Sequence, residues 1–313
     1  MPQRQHYIPR FHLSKWLNSD GFLTRYRVIR GEIDIDHKAS PASVCSDFDL
    51  WSLRAEDEEI SRALENSIFS RMDDRASDIF HRLLSASSID DRDAIDLGWY
   101  MVSILKRDPN AVLALRRYNG LAETLRNFAL AKFNMSRDAF NDKFTQHYGF
   151  HSDDADLYFG YVASLDGRLE SLLQNLNLKD FSTHVVRSPL AESLLLSNRP
   201  VIPVRWGRND HDTIGYIMPV TPSLLAMISE KKWTPIIQTY LEATPHCTPF
   251  EFCNSTQLRE AWDVISPSLE MDSYIVENIK KSPPCFLPSQ IKSKRGRRFS
   301  VSVNDNRWWE YSR

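Results

Sequence analysis

The chain has 313 residues, 42% of them apolar and 26% charged, and its 39 Lys and Arg against 41 Asp and Glu give a formal net charge of -2. This is the composition of a folded globular protein and excludes collagenous, mucin-like and extensively disordered classes. Near-neutral charge also speaks against indiscriminate binding to a polyanion and turns attention to local basic patches.

The first thirty residues carry Arg4, Arg10, Lys15, Arg25, Arg27 and Arg30 against one acid, Asp20, which predicts a basic entry segment. The opening MPQRQHYIPRFHL lacks the apolar core of a secretory signal, and no run of roughly 18 uncharged apolar residues occurs; no membrane association and a cytoplasmic location are expected. Cys45, Cys247, Cys253 and Cys285 are too few and scattered for a disulfide framework and form no CxxC pair, so reduced thiols are expected.

From Pro9, the spacing of Phe11, Leu13, Trp16 and Leu17 predicts a short helix. Residues 22–29, rich in aromatic and β-branched side chains, read as a strand that Arg30-Gly31 turns back into 32–35, giving a small hairpin. Residues 38–50 read as an extended loop broken by Pro41. Apolar residues at three- and four-residue spacing then predict helices over 58–84, 91–106, 111–133, 136–147 and 153–176. Near residue 181 the texture changes to short β-type runs at 185–186, 193–196, 201–206, 213–218 and 224–228, with a hairpin turn at 207–210. Two further helices are expected over 256–265 and 271–280. The predicted fold is α+β: a basic N-terminal hairpin lobe (1–50), a central helical bundle (51–180) and a C-terminal region with an antiparallel sheet (181–313), all in one compact unit.

Several catalytic patterns are absent. There is no GxxxxGK[ST] or GxGxxG loop to cradle phosphate and no GxSxG elbow for a serine nucleophile. Cys45 and Ser46 beside Asp47 make no recognisable nucleophile setting. His147 and His151 have the spacing of a helical chelate but are interrupted by Gly149, and no metal site is assigned. Glu58 and Glu65 share a helix face whereas Glu59 does not, and a solvated helix face explains them as well as Mg²⁺ held with a substrate phosphate would. The run Lys292 to Arg298 holds five cations in seven residues and precedes Phe299, Trp308, Trp309 and Tyr311. Cations and stacking aromatics are the two parts of a single-strand nucleic-acid surface, although a charge run near a chain end is more often simply solvated.

The run Gln5-His6-Tyr7-Ile8-Pro9-Arg10-Phe11-His12-Leu13 resembles the opening signature of the DUF4238 family. Further landmarks follow in matching order: Ser40-Pro41 to Leu50-Trp51, Leu105-Lys-Arg107-Asp-Pro109, Leu195-Leu-Ser-Asn-Arg-Pro200-Val and Met218-Pro-Val-Thr-Pro222. The resemblance covers nearly the whole chain and implies little mechanism, the family being described largely as microbial and of unknown function. Related sequences often carry an acid where this chain has Asn198; any role for that acid as a base or metal ligand is lost here.

Two functional readings follow. In the first, the chain is a nucleic-acid-directed protein of a microbial defence or toxin system, and if an enzyme then a phosphodiester hydrolase. His6 is then the catalytic acid or base, and Tyr7, Arg10, Arg107, Asn198 and Arg199 form the binding set, the guanidiniums holding phosphate around a shared, water-accessible hollow. Helix termination by Arg107 and docking of the chain end by His6 and Tyr7 are the structural roles set against this. In the second reading, a non-catalytic binding or regulatory module recognises a nucleotide, an acidic peptide or a protein partner. Cofactor and oligomeric state are left open, Mg²⁺ being the ion a carboxylate pair and a phosphate would share.

Overall fold

A computed structural model describes residues 3–85, 89–165, 181–187, 193–206, 212–232, 235, 248–279, 298–302 and 308–312. The chain starts with β1 (Arg4–His6) and the one-turn helix α1 (Arg10–Leu13), which runs on into a 3-10 turn over Ser14–Trp16. The expected hairpin forms from β2 (Leu23–Ile29) and β3 (Glu32–Ala39). Arg30 and Gly31 both have positive φ, 52° and 87°, as the two-residue turn that matches strand twist requires. The 38–50 segment, expected as plain loop, contains β4 (Ser46–Phe48), which pairs with β1 across some forty residues of sequence.

The predicted bundle is present with two of its expected helices divided, and residues 166–176 of the helix expected over 153–176 lie outside the described residues. Where one helix was expected over 58–84 there are α2 (Glu58–Ser61), a π-helical turn (Leu64–Phe69) and α3 (Ser70–Ser85). Next come α4 (Asp91–Arg107), α5 (Pro109–Tyr118), α6 (Gly120–Phe133), α7 (Arg137–Tyr148) and α8 (Ala155–Leu165). The expected single helix 111–133 breaks at Asn119, whose φ of 49° is left-handed and cannot continue a right-handed helix. Side chains of Asp57, Asp90, Asp108 and Ser136 accept backbone N–H groups at the starts of α2, α4, α5 and α7.

The C-terminal region supplies an antiparallel sheet of order β5-β9-β8-β7, built from β5 (Phe181–Arg187), β7 (Ile202–Trp206), β8 (Asp212–Thr221) and β9 (Leu224–Glu230). The turn expected at 207–210 lies outside the described residues, but β7 and β8 pair antiparallel on either side of it. Helix α9 (Pro249–Glu260) opens with a capping box between Thr248 and Glu251. The helix expected over 256–265 ends at Glu260, and Asp263–Ser266 form the strand β10, all four residues of it buried. Burial on both faces removes the alternation that would have marked it as a strand. Helix α10 (Asp272–Asn278) follows, and β11 (Arg298–Ser302) pairs with β12 (Trp308–Ser312).

Strand order in the remaining four-stranded sheet is β3-β2-β10-β6, with β6 at Leu196–Ser197. The N-terminal hairpin is therefore completed by two strands from beyond residue 190. Helices α3 and α4 pack Ala76, Phe80, Leu97 and Met101 against Met218, Ala226 and Ile228 of the other sheet. A Cβ on Gly98 would lie 3.1 Å from the Ile228 Cδ1, so α4 crosses β9 closely.

Candidate functional site

The stretch 5–13 runs through the interior. Gln5 is buried, its Oε1 accepting the Trp51 N–H at 2.9 Å and its Nε2 donating to Ser52 Oγ at 3.1 Å. His6 is half-buried and donates from Nε2 to the Pro41 carbonyl at 3.0 Å. Burial lowers its pKa, and Arg10 and Arg4 push the same way against the opposing hydrogen bond to Pro41. Tyr7 is buried; its N–H donates to the Cys45 carbonyl at 3.0 Å, and burial drives its hydroxyl well above the usual tyrosine range. Arg10 is exposed at the first position of α1. His12 is fully buried, with Nε2 2.9 Å from the Pro219 carbonyl and Nδ1 2.9 Å from the Tyr100 hydroxyl.

The α4–α5 junction places Lys106, Arg107, Asp108 and Asn110 in the interior, an unusual run of buried polar side chains. Arg107 is 1% exposed; Nη1 donates to Asp73 Oδ2 at 3.0 Å, Nη2 lies 2.8 Å from Oδ1, and the guanidinium sits 4.2 Å from the Phe69 ring centroid. Burial raises the Asp73 carboxyl, with Arg107 opposing the shift. Asp108 caps α5 by accepting the Asn110 N–H at 2.8 Å and receives Arg199 Nε at 2.7 Å. Arg199, also 1% exposed, stacks 4.5 Å from the Trp262 ring centroid.

Asn198 links this junction to the N-terminal sheet. Its N–H donates to the Asp263 carbonyl at 2.8 Å, and its Oδ1 accepts the N–H groups of Trp262 and Asp263 at 3.1 and 3.2 Å. Oxygen is the atom used, and an acid at this position would offer the same acceptor, so the departure at Asn198 preserves the contact. Asp263 in turn takes a forked pair of bonds from Arg25, Nε at 2.8 Å and Nη2 at 2.6 Å. Tyr7 lies within electrostatic reach of both Asp263 and Asp108.

The structure thus gathers Tyr7, Arg107, Asn198 and Arg199 along one buried polar line, Asp73–Arg107–Asp108–Arg199–Asn198–Asp263–Arg25. His6 faces Pro41, and Arg10 faces solvent. The water-accessible hollow expected around the guanidiniums is not how Arg107 and Arg199 sit: both are enclosed and paired with carboxylates. Sequence reading missed those carboxylates, Asp73, Asp108 and Asp263, together with Arg25. Asp108 alone had a local signal, an acid directly before the proline that opens a helix.

Other expected features resolve simply. Glu58 pairs with Arg62, while Glu65, in the π-helical turn, accepts Trp51 Nε1 at 2.5 Å, so the two carboxylates form no pair. Gly149 ends α7 with a φ of 77°, which puts His151 beyond the helix that carries His147. No group of three His, Cys, Asp or Glu side chains converges as a metal set among the described residues. Cys45 is a buried free thiol whose pKa is raised well above the ordinary range by burial, the reverse of an activated nucleophile. The cations Lys292, Lys294, Arg295 and Arg297 lie outside the described residues. Beside Arg107, Phe69, Met72, Trp99, Ser103, Lys106 and Tyr161 line a small cleft with an empty volume of ≈ 250 Å³, open solvent included. Burial lowers the Lys106 ammonium to about 8, and the Tyr161 hydroxyl donates to the Lys106 carbonyl.

No described helix is long and apolar enough to cross a membrane. Residues 4–265 match the model of a family described as "Protein of unknown function (DUF4238)". No curated protein and no solved structure matches the chain.

Proposed function

We propose that this chain, which belongs to the DUF4238 family, works as a non-catalytic binding or regulatory module rather than as a phosphodiester hydrolase. The observation that supports this reading is the internal commitment of the guanidiniums nominated for phosphate: Arg107 to Asp73 and Arg199 to Asp108. Withdrawing either from its carboxylate to hold a phosphate costs about 3–5 kcal/mol, because a buried charge is left behind. His6 is poorly suited to act as a general acid. Its Nε2 proton is engaged by Pro41, and its basicity is depressed by burial and by two neighbouring arginines. A cytoplasmic setting accords with Cys45 and Cys253 as free thiols.

The test is incubation of the purified chain with labelled RNA and DNA, with and without Mg²⁺. The polymers are expected to stay intact. Degradation that disappears in His6→Ala would overturn the reading in favour of the hydrolase.

A further inference from the structure

We propose that the open edge of β3 accepts an extended cationic segment of a partner protein as an added strand. The inference rests on the binding-module reading and names the kind of partner. In the order β3-β2-β10-β6, β3 is terminal and, among the described residues, bonded on one side only. It is eight residues long, and every residue from Glu32 to Lys38 is exposed or partly exposed. The pair Ile29 and Glu32 flanks the two-residue turn, so these residues exchange both backbone bonds, and so in alternation do Arg27 with Asp34 and Arg25 with Asp36. The N–H and C=O groups of Ile33 and Ile35 are then turned outward, where a further strand would bond.

Side chains choose the partner. Glu32, Asp34 and Asp36 alternate on one face of β3; Ile33 and Ile35 alternate on the other, Ile33 packed against the cluster of Tyr26 and Val28 and Ile35 39% exposed. Arg25, across from Asp36, is committed to Asp263, which leaves Arg27 facing Asp34 and Lys38 at the far end of the strand. An incoming strand with Lys or Arg at every second residue sets its cations beside the carboxylates and its intervening apolar residues beside Ile33 and Ile35. The same pattern discourages a second copy: antiparallel pairing of β3 with itself about a two-fold normal to the sheet puts the acids of both chains on one face.

Fluorescence anisotropy of the full chain with a labelled short peptide of alternating lysine and valine tests this. Saturable binding is expected, weakened at least about tenfold by Asp34→Lys with Asp36→Lys. It should also be lost with Ile35→Pro, which removes an outward N–H, and circular dichroism checks that both variants fold. A glutamate–valine peptide and a lysine–valine peptide N-methylated at alternate residues should not bind. Equal binding by the methylated peptide would reduce the effect to diffuse charge attraction and overturn strand addition, as would indifference to the charge reversals. Self-association that Ile35→Pro abolishes would assign the edge to a second copy instead. Absence of peptide binding with nucleic acids intact defeats only this inference, whereas nucleic-acid degradation defeats the module reading on its own.

Discussion

The tautomer of His12 follows from its surroundings: a carbonyl can only accept, so Nε2 carries the proton toward Pro219 and Nδ1 accepts from the Tyr100 hydroxyl. Burial lowers the pKa of this imidazole to about 3. An unfolded chain takes up the proton near 6.5 while the folded one refuses it, so between those values the unfolded state binds more protons and stability falls as pH falls. The contribution is complete above pH 6.5 and declines by on the order of 4–5 kcal/mol toward pH 3. Urea midpoints of wild type and His12→Gln across pH 7 to 4 should show a shallower acid decline in the variant; parallel curves would remove His12 as the cause. Arg199→Met strands the Asp108 carboxylate and should cost about 3–5 kcal/mol, and adding Asp108→Asn, which keeps an oxygen for the α5 cap, should recover part of it. Strict additivity of the two substitutions would mean that the pair is not coupled.

Among the elements, the hairpin was legible because its turn and its strands signal locally: Arg30-Gly31 between β-branched runs leaves little choice. Arg30 nevertheless holds a left-handed φ of 52°, a conformation asparagine adopts more readily. Arg30→Asn should therefore stabilise the chain by about 0.5–1 kcal/mol in urea titration. The helices were legible from period and caps, and their interruptions were not. Asn119 offers a left-handed stop in an otherwise continuous apolar pattern, and the π-helical turn at Leu64–Phe69 leaves the surrounding spacing nearly unchanged. The strands β1, β4 and β10 were missed for a different reason: they are short, and each is defined by a partner distant in sequence. The polar site was half legible for the same reason. Arg107 and Arg199 were identifiable as noteworthy, but their carboxylates stand 34 and 91 residues away, and the Arg25–Asp263 pair spans 238.

At the scale of the molecule, the sheet β3-β2-β10-β6 ties the first forty residues to the strand at Asp263–Ser266, and the line of buried ion pairs ties both to the helices. One cooperative transition is expected: tryptophan fluorescence and far-ultraviolet dichroism should give coincident urea curves. Curves separated by a plateau would instead identify a hairpin lobe that folds by itself.

The reach of His12 to Pro219, 207 residues further on, has a consequence for biosynthesis. Tyr7, Ile8, Leu13 and Trp16, all interior in the finished protein, leave the ribosome well before partners such as Leu194 and Ile265. During elongation Val44, Trp51, Leu64 and Phe69 can cover part of this segment, while the contacts to Leu194, Pro219 and Ile265 wait for the rest of the chain, and loops of such length close slowly. Until those later partners are made, the apolar side chains of this segment that remain exposed favour aggregation.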